Sequence, residues 1–365
     1  MKKIGVLGAY GSVGRNALEY LYNTGKYELY AVGRDLSKVE NDSFFKAIPN
    51  IAWTSADVTD TVQLESFIAE KDVVLNTVSC SSMYSLKIAE ICLKNGKRYV
   101  DAGMSEGFEK FEGERASFIY GAGALPGLSE VLGVYATDNF KTVTEYTHIT
   151  SMEGVFSYGA AFDYLKGISA DIAKGSTRSL ERTESIQLPF IGTADIRCYV
   201  DGETKYVTEK VGCSNGRHYL AFGSGKMKSV IENAALTFSN DPENTAKQLV
   251  DFSRMYNIKA KEHIALIIEV KGEAEDGTNK IQTMILKCSS SPALTGMSAG
   301  LCVELAADAK YETGVFPLSK LPDSVLYDDF IPHIVYALKN SENTSIFETY
   351  PVGINELNEE SFGEI

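Results

Sequence analysis

Three glycines, Gly8, Gly11 and Gly14, follow the apolar run Ile4-Gly-Val-Leu7 and precede the helix-like stretch Arg15-Asn-Ala-Leu-Glu-Tyr-Leu-Tyr22. No other segment restricts the fold as much. A strand that ends in a glycine turn and opens a helix suits a dinucleotide pyrophosphate. The first glycine permits the tight turn, the second lets backbone N–H groups approach, and the third lets the helix pack close on the strand. With 31 glycines in the chain, the spacing alone means little, and a structural turn is the alternative. The strand before, the helix after and a second strand at the right distance favour the nucleotide reading. Contacts to it are expected from Gly8, Tyr10, Gly11, Ser12, Val13 and Gly14.

That second strand is Glu28-Leu-Tyr-Ala-Val-Gly33, and Arg34-Asp35 follows it. An acidic residue at this point holds the ribose 2′-hydroxyl of NAD, whereas Arg suits the 2′-phosphate of NADP. Guanidinium is a planar fork that grips phosphate through two bonds. Arg34 therefore points to NADP(H), while Asp35, one residue later, leaves NAD(H) open.

Strand and helix signals alternate through the first third of the chain. Strands are expected near 3–8, 28–33, 51–57, 72–78, 98–102 and 117–121, with helices at 12–23, 61–69 and 83–95. Such alternation gives a parallel sheet with right-handed crossovers. From about 142 the pattern changes to strand-like stretches at 142–151, 195–208, 217–223, 263–273 and 280–288, interrupted by helices at 158–174 and 243–256. These read as an antiparallel sheet with helices on one face. Pro292 opens a helix rich in small residues, which is expected to rejoin the first lobe; the Glu- and Asn-rich tail after 340 is expected to be loosely ordered.

The chain has 365 residues, 44% hydrophobic and 23% charged, as in a soluble globular protein of two lobes. A net charge of −14 disfavours a nucleic-acid partner. No long apolar stretch or leader is evident, so no membrane association and a cytoplasmic location are expected. Six scattered cysteines and four separated histidines suggest neither disulfides nor a metal site.

Ends of strands on the carboxyl edge of an open sheet line the ligand crevice. Asp57 and Val58 are candidates for the adenine edge, with support of the next helix as the alternative for Asp57. Asn76, Thr77, Val78 and Ser79 are candidates for ribose and nicotinamide. Cys80 is a candidate substrate contact or nucleophile, although no histidine lies near it in sequence. Asp101, with Ala102 and Gly103, ends the fifth strand and is a candidate catalytic carboxylate facing the nicotinamide end or the substrate, with a capping role as the alternative.

Several segments together resemble the saccharopine dehydrogenase-like oxidoreductases. They are Gly8-Ala-Tyr-Gly-Ser-Val-Gly14, Asn95-Gly-Lys-Arg-Tyr-Val-Asp101, Gly121-Ala-Gly-Ala-Leu-Pro-Gly-Leu-Ser-Glu130, Pro292-Ala-Leu-Thr-Gly296 and Gly314-Val-Phe-Pro317. The resemblance implies an α/β architecture: a Rossmann-type doubly wound parallel sheet, with an inserted α+β substrate domain built on an antiparallel sheet. The expected boundaries are 1–124 with 292–325 for the dinucleotide domain, 125–291 for the substrate and dimerisation domain, and 326–365 for a C-terminal extension.

The resemblance also implies NAD(P)-dependent reduction of an imine, or the reverse, on an amino-acid-like substrate. A homodimer is expected. Pro126 and Gly127 make a rigid turn that can face cofactor or a substrate carboxylate. A proton donor is sought in Ser157-Tyr158-Gly-Ala-Ala-Phe-Asp163-Tyr-Leu-Lys166: Tyr158 and Asp163 for acid–base work, Lys166 and Arg178 for a carboxylate. Helix capping is the alternative for Asp163. Reduction of a carbonyl or enoyl group on the same scaffold, and a non-catalytic NADP(H) sensor, are the other readings.

Overall fold

The computed structural model describes residues 1–103, 107–173, 182–199, 202–223, 225–256 and 262–357. Two compact units divide the chain: Met1–Val131 with Pro292–Leu338, and Leu132–Ser291 with Lys339–Ile365.

In the first unit, strands β1 (Lys2–Leu7), β2 (Tyr27–Gly33), β3 (Ala52–Ser55), β4 (Val73–Asn76), β5 (Arg98–Asp101), β6 (Ser117–Tyr120) and β13 (Gly314–Pro317) form one sheet. Its order is β13-β6-β5-β4-β1-β2-β3, and all the pairings are parallel. The crossover helices are α1 (Ser12–Thr24), α2 (Thr61–Ala69) and α3 (Ser81–Lys94). From β1 the chain builds β2 and β3 on one side, then β4, β5 and β6 on the other. The strand order thus reverses between β1 and β4, which is where an open sheet of this type leaves its crevice. β4 is buried at every position, as a central strand covered on both faces must be.

The chain leaves this unit within helix α4 (Leu128–Tyr135). The second unit contains β7 (Thr142–Glu153), α5 (Tyr158–Ala173), β8 (Arg182–Leu188), β9 (Gly192–Tyr199), α6 (Gly202–Lys210), β10 (Gly216–Phe222), α7 (Gly225–Thr237), α8 (Pro242–Tyr256), β11 (His263–Glu273) and β12 (Asn279–Cys288). After helix α9 (Ser291–Ala307) and α10 (Ile331–Lys339), β14 (Thr344–Tyr350) completes the sheet, in the order β14-β12-β11-β7-β10-β9-β8. Alternate side chains divide between two cores. Ile149, Ala221, Ile267 and Ile285 pack with Leu188 and Ile354. Phe222 packs with Ala161, Leu165, Ile231 and Leu249 of the helix layer.

Several expectations are corrected here. The second sheet is not wholly antiparallel, because β10 runs parallel to β7 with His218 beside His148. The strand expected over 195–208 stops at Tyr199, and Gly202–Lys210 is a helix. Lys205 and Glu209 pair at 3.7 Å across one turn of it, and Thr204 and Val207 form its buried face. The strand at 182–188, the helix at 225–237 and the strand at 344–350 carried no clear local signal. The tail after 340, expected to be loosely ordered, contains β14, which gains its stability from the β12 ladder and not from its own composition. Residues 326–338, expected in a C-terminal extension, fall in the first unit.

Candidate dinucleotide site of the first unit

At the reversal point, Gly8 leaves β1 with φ +74. A Cβ there would lie 2.7 Å from the Thr77 carbonyl oxygen and 2.9 Å from the Val78 nitrogen, both immovable backbone. The Gly11 N–H donates to Gly8 O at 2.9 Å and closes the turn. Gly11 then caps α1 with no side-chain bond to the first turn, and that turn contains no acidic residue. Its N–H groups remain directed out of the helix end, where an anion is stabilised. At Gly14 a Cβ would meet Thr77 Oγ1 at 2.7 Å and Ala9 Cα at 2.8 Å. The loop is therefore a cradle with no room for a side chain at Gly8 or Gly14, with Ser12 exposed and Val13 half-buried beside it.

Helix α1 is braced from behind by α9. A Cβ on Gly296 would sit 2.6 Å from Asn16 Cβ, and one on Gly300 2.5 Å from the Tyr20 ring. One turn further, Glu304 accepts from Tyr20 Oη at 2.8 Å and Lys26 Nζ at 2.6 Å. Small residues four apart let the two backbones approach, and a buried acid with two donors fixes their register.

At the end of β2, the Tyr10 ring lies against Gly33, where any Cβ would overlap it. Arg34 is exposed. Lys38, which the sequence did not single out, holds its Nζ 5.5 Å from the Tyr10 ring centroid. Asp35 is turned to its own loop: Oδ1 accepts from Ser37 Oγ at 2.6 Å and Ser37 N at 3.1 Å, which holds the carboxyl below the usual carboxylate range. Asp57 is engaged similarly by the Thr59 N–H and hydroxyl, and its carboxyl is held low by those bonds and, more weakly, by the Arg34 charge. The following helix is capped by Asp60, whose side chain accepts from the Val62 and Gln63 N–H groups, while Val58 packs on the core.

These positions give the first prediction. Arg34→Ala should weaken NADPH binding about 10- to 100-fold, or about 1.4–2.7 kcal/mol, by loss of a charge-assisted fork to phosphate. NADH binding, measured in parallel by fluorescence titration, should hardly move. Equal loss for both cofactors would remove Arg34 from the 2′-phosphate.

The ends of β4 and β5 share a buried polar network. Asp101 is 1% exposed and accepts from Tyr99 Oη at 2.5 Å, Asn76 Nδ2 at 3.0 Å and the Gly103 N–H at 2.9 Å. Asn76 in turn accepts the Val78 N–H on Oδ1 at 3.1 Å, and its Nδ2 also reaches Ser85 Oγ at 3.3 Å. Burial pushes the Asp101 carboxyl up, against the hydrogen bonds of Ser85, Tyr99, Asn76 and Gly103 that favour its charged form. Burial and the adjacent carboxylate push the Tyr99 hydroxyl well above its ordinary range. Asp101 thus ties together the backbone of Thr77–Val78 and Ala102–Gly103, the segments that face Gly8 and Gly123. Its geometry is that of a positioning residue, enclosed by its own strand ends, and not of a proton donor at an open site.

Cys80 caps α3 in the left-handed region, φ 58 and ψ 53, and is buried. A strained cap of this sort belongs to sites where the loop must hold an exact shape. The imidazole that a thiolate nucleophile needs is not at hand within this unit. Its one histidine, His333, is bonded to the Asp329 carbonyl of its own helical segment.

Gly123 and Gly127 fold the crossing segment onto the same edge. A Cβ on Gly123 would meet the Ala102 carbonyl at 2.6 Å, and Gly127, at φ +120, leaves no room beside Gly121 O. Pro126 lies between them, half-buried. Tyr158, Asp163 and Lys166 all lie on α5 of the second unit. Tyr158 and Lys166 are exposed, Asp163 is half-buried, and Asp163 and Lys166 are neighbours at i, i+3. Arg178 lies outside the described residues. Sequence reasoning missed Tyr99 and Ser85, whose roles exist only because β5 and α3 bring them to Asp101. It also missed His148 and His218, whose rings stack 4.5 Å apart. Thr150 Oγ1 lies 3.3 Å from His148 Nε2 and 3.0 Å from His218 Nε2. No local spacing announces a pair brought together by a parallel ladder.

A parallel sheet with its glycine cradle at the reversal point defines a dinucleotide-binding unit of an oxidoreductase fold. Residues 4–120 match the family model of the saccharopine dehydrogenase NADP binding domain. That match agrees with the NADP(H) preference read from Arg34. The full chain has the fold of saccharopine dehydrogenase (L-Glu forming) from Saccharomyces cerevisiae, with TM-score 0.71 and 11% identity, over 97% of this chain and 100% of that one. It is also similar to a mutant meso-DAP dehydrogenase of Clostridium tetani, determined with DAP, with TM-score 0.50 and 13% identity, over 92% and 99% of the two chains. A search of curated proteins by sequence finds no match. Among the described residues no helix is long and apolar enough to cross a membrane, and no three His, Cys, Asp or Glu side chains gather as metal ligands.

Proposed function

We propose that the protein is an NADPH-dependent reductase that delivers hydride to the carbon of a C=N bond in an amino-acid-like substrate. The observation that carries this reading is the glycine cradle of Gly8, Gly11 and Gly14, closed to side chains at Gly8 and Gly14, within a chain whose fold follows saccharopine dehydrogenase over nearly its whole length. When bound, NADPH supplies the hydride. The cradle and the first turn of α1 hold the pyrophosphate, and Arg34 holds the 2′-phosphate. Val78, Ser79, Ala102 and Gly103 flank the ribose and nicotinamide, with Asp101 beneath them fixing their backbone. Cys80, Pro126, Gly127 and Lys166 contact the substrate. Tyr158 donates the proton to nitrogen, and Asp163 orients it. A homodimer in the cytoplasm belongs to the same proposal.

NADPH oxidation with a panel of imines, ketones and enoyl compounds tests it. Turnover of imines, lowered about 10²- to 10³-fold by Tyr158→Phe with NADPH affinity unchanged, is the expected result. Turnover of carbonyl compounds alone would replace the imine assignment. NADPH binding without turnover of anything would make the protein a sensor.

A further inference from the structure

A cavity of about 40 Å³ lies wholly within the second unit, between β7 and β10 on one side and the helix layer on the other. Its walls include the aromatic rings of Phe156, Tyr164, Phe222 and Tyr256, and its polar lining includes Glu153 and Thr150. We infer that this cavity is a binding site for the primary ammonium group of an alkylammonium ligand. The inference stands apart from the reductase reading, because it requires no cofactor.

Charge decides the class of ligand. The Glu153 carboxylate lies against Gly223, where a Cβ would come 2.5 Å from Oε1, so the glycine leaves the acid its place. Among the described residues no Lys or Arg is ion-paired with Glu153, while Arg197, beside Tyr164, is already paired with Glu232. A second acid, Glu262, stands at the mouth, with its carboxyl carbon 3.7 Å from a Cβ built on Gly154. The Phe156 and Tyr164 rings meet at 5.7 Å with a tilt of 33°, presenting adjoining faces. Aromatic faces attract a cation by about 0.5–2 kcal/mol, more as water is excluded. A half-buried carboxylate adds attraction for a cation and repels an anion. Thr150 Oγ1 is already engaged by the two histidines behind it, so it contributes shape more than a free bond.

Size decides the form of the cation. A cavity needs about 10–15 Å³ to hold one water, so one of about 40 Å³ admits a small ammonium head and no bulky body. Calcium, which needs about six to eight oxygen ligands, does not suit a lining with a single carboxylate. Next in sequence to the lining residues Phe156 and Tyr256, Val155 and Met255 are exposed apolar side chains. The Phe156 N–H donates to Ser253 Oγ at 3.1 Å and ties the loop that carries Val155 to the end of α8. Such a mouth suits the alkyl stem of the ligand.

Isothermal titration of the full chain with n-butylammonium, butan-1-ol and butanoate at fixed ionic strength tests the site. Butylammonium should bind, the other two should bind about 10-fold more weakly or not at all, and Glu153→Gln should weaken butylammonium about 10-fold, or 1.4 kcal/mol. No heat with butylammonium, equal binding of butan-1-ol, or an unaltered affinity in Glu153→Gln would overturn the inference. If Glu153→Gln fails the circular dichroism check for folding, Tyr256→Leu takes its place. It should weaken butylammonium and leave butan-1-ol unchanged, and an unaltered butylammonium affinity would overturn the inference equally.

Discussion

Gly8→Ala should cost the protein at least about 100-fold in NADPH affinity, equivalent to about 2.7 kcal/mol, together with about 2–4 kcal/mol of stability. Two effects add. Position 8 has φ +74, which an L side chain adopts only under strain, and the new methyl would strike the Thr77 carbonyl and the Val78 nitrogen. Neither obstacle is a flexible side-chain tip, so β4 and its following loop must shift, and the phosphate cradle shifts with them. Gly25 provides the control. It caps α1 at φ +64 with open space around it, so Gly25→Ala should cost about 1 kcal/mol by strain alone and leave NADPH affinity within about 2-fold. Fluorescence titration and thermal unfolding read both quantities. Normal NADPH binding by folded Gly8→Ala would show that the pyrophosphate lies elsewhere.

Asp101→Ala should destabilise the first unit by about 3–5 kcal/mol, because it strands the Tyr99 hydroxyl, the Asn76 amide and the Gly103 N–H in a dry interior. The companion variant Asp101→Asn separates the charge from the shape, and pH reads the difference. Burial raises the folded-state pKa of Asp101 above its unfolded value. The fold therefore prefers the protonated acid. Its stabilising contribution is complete below the unfolded carboxyl value and is lost as pH rises through the raised folded value. The amide of the Asp101→Asn variant has no such titration. The stability of the wild type relative to Asp101→Asn should accordingly fall between acidic and neutral pH, measured by urea unfolding at several pH values. A gap that widens with pH would mean that the hydrogen bonds to the carboxylate outweigh its burial.

Much of the first unit is legible without any tertiary contact. Gly8, Gly11 and Gly14 can be interpreted because a strand, a turn and a helix are set by neighbouring residues, and a positive φ leaves its mark as glycine. Arg34 and the NADP preference follow from the same local order. The second unit is less transparent. Gly202–Lys210 reads partly as strand because Thr, Tyr and Val occur in it, yet a buried Thr204–Val207 face decides for helix. β14 has an unremarkable composition and exists through its pairing with β12. Asp101 illustrates the boundary within a single residue. Its place at the end of β5 can be read directly, but its enclosure by Tyr99, Asn76 and Gly103 cannot.

By itself, then, the sequence determined the glycine cradle, the alternation that yields a parallel sheet, and the preference for NADP(H). Each depends on backbone freedom, periodicity or charge within a short stretch of chain. Only the tertiary structure decided that β7 and β10 run parallel, that His148 and His218 stack behind Thr150, and that Glu153 closes an aromatic cavity with Tyr256. These partners lie tens of residues apart, and their meeting depends on ladder register and helix packing, which no local pattern encodes.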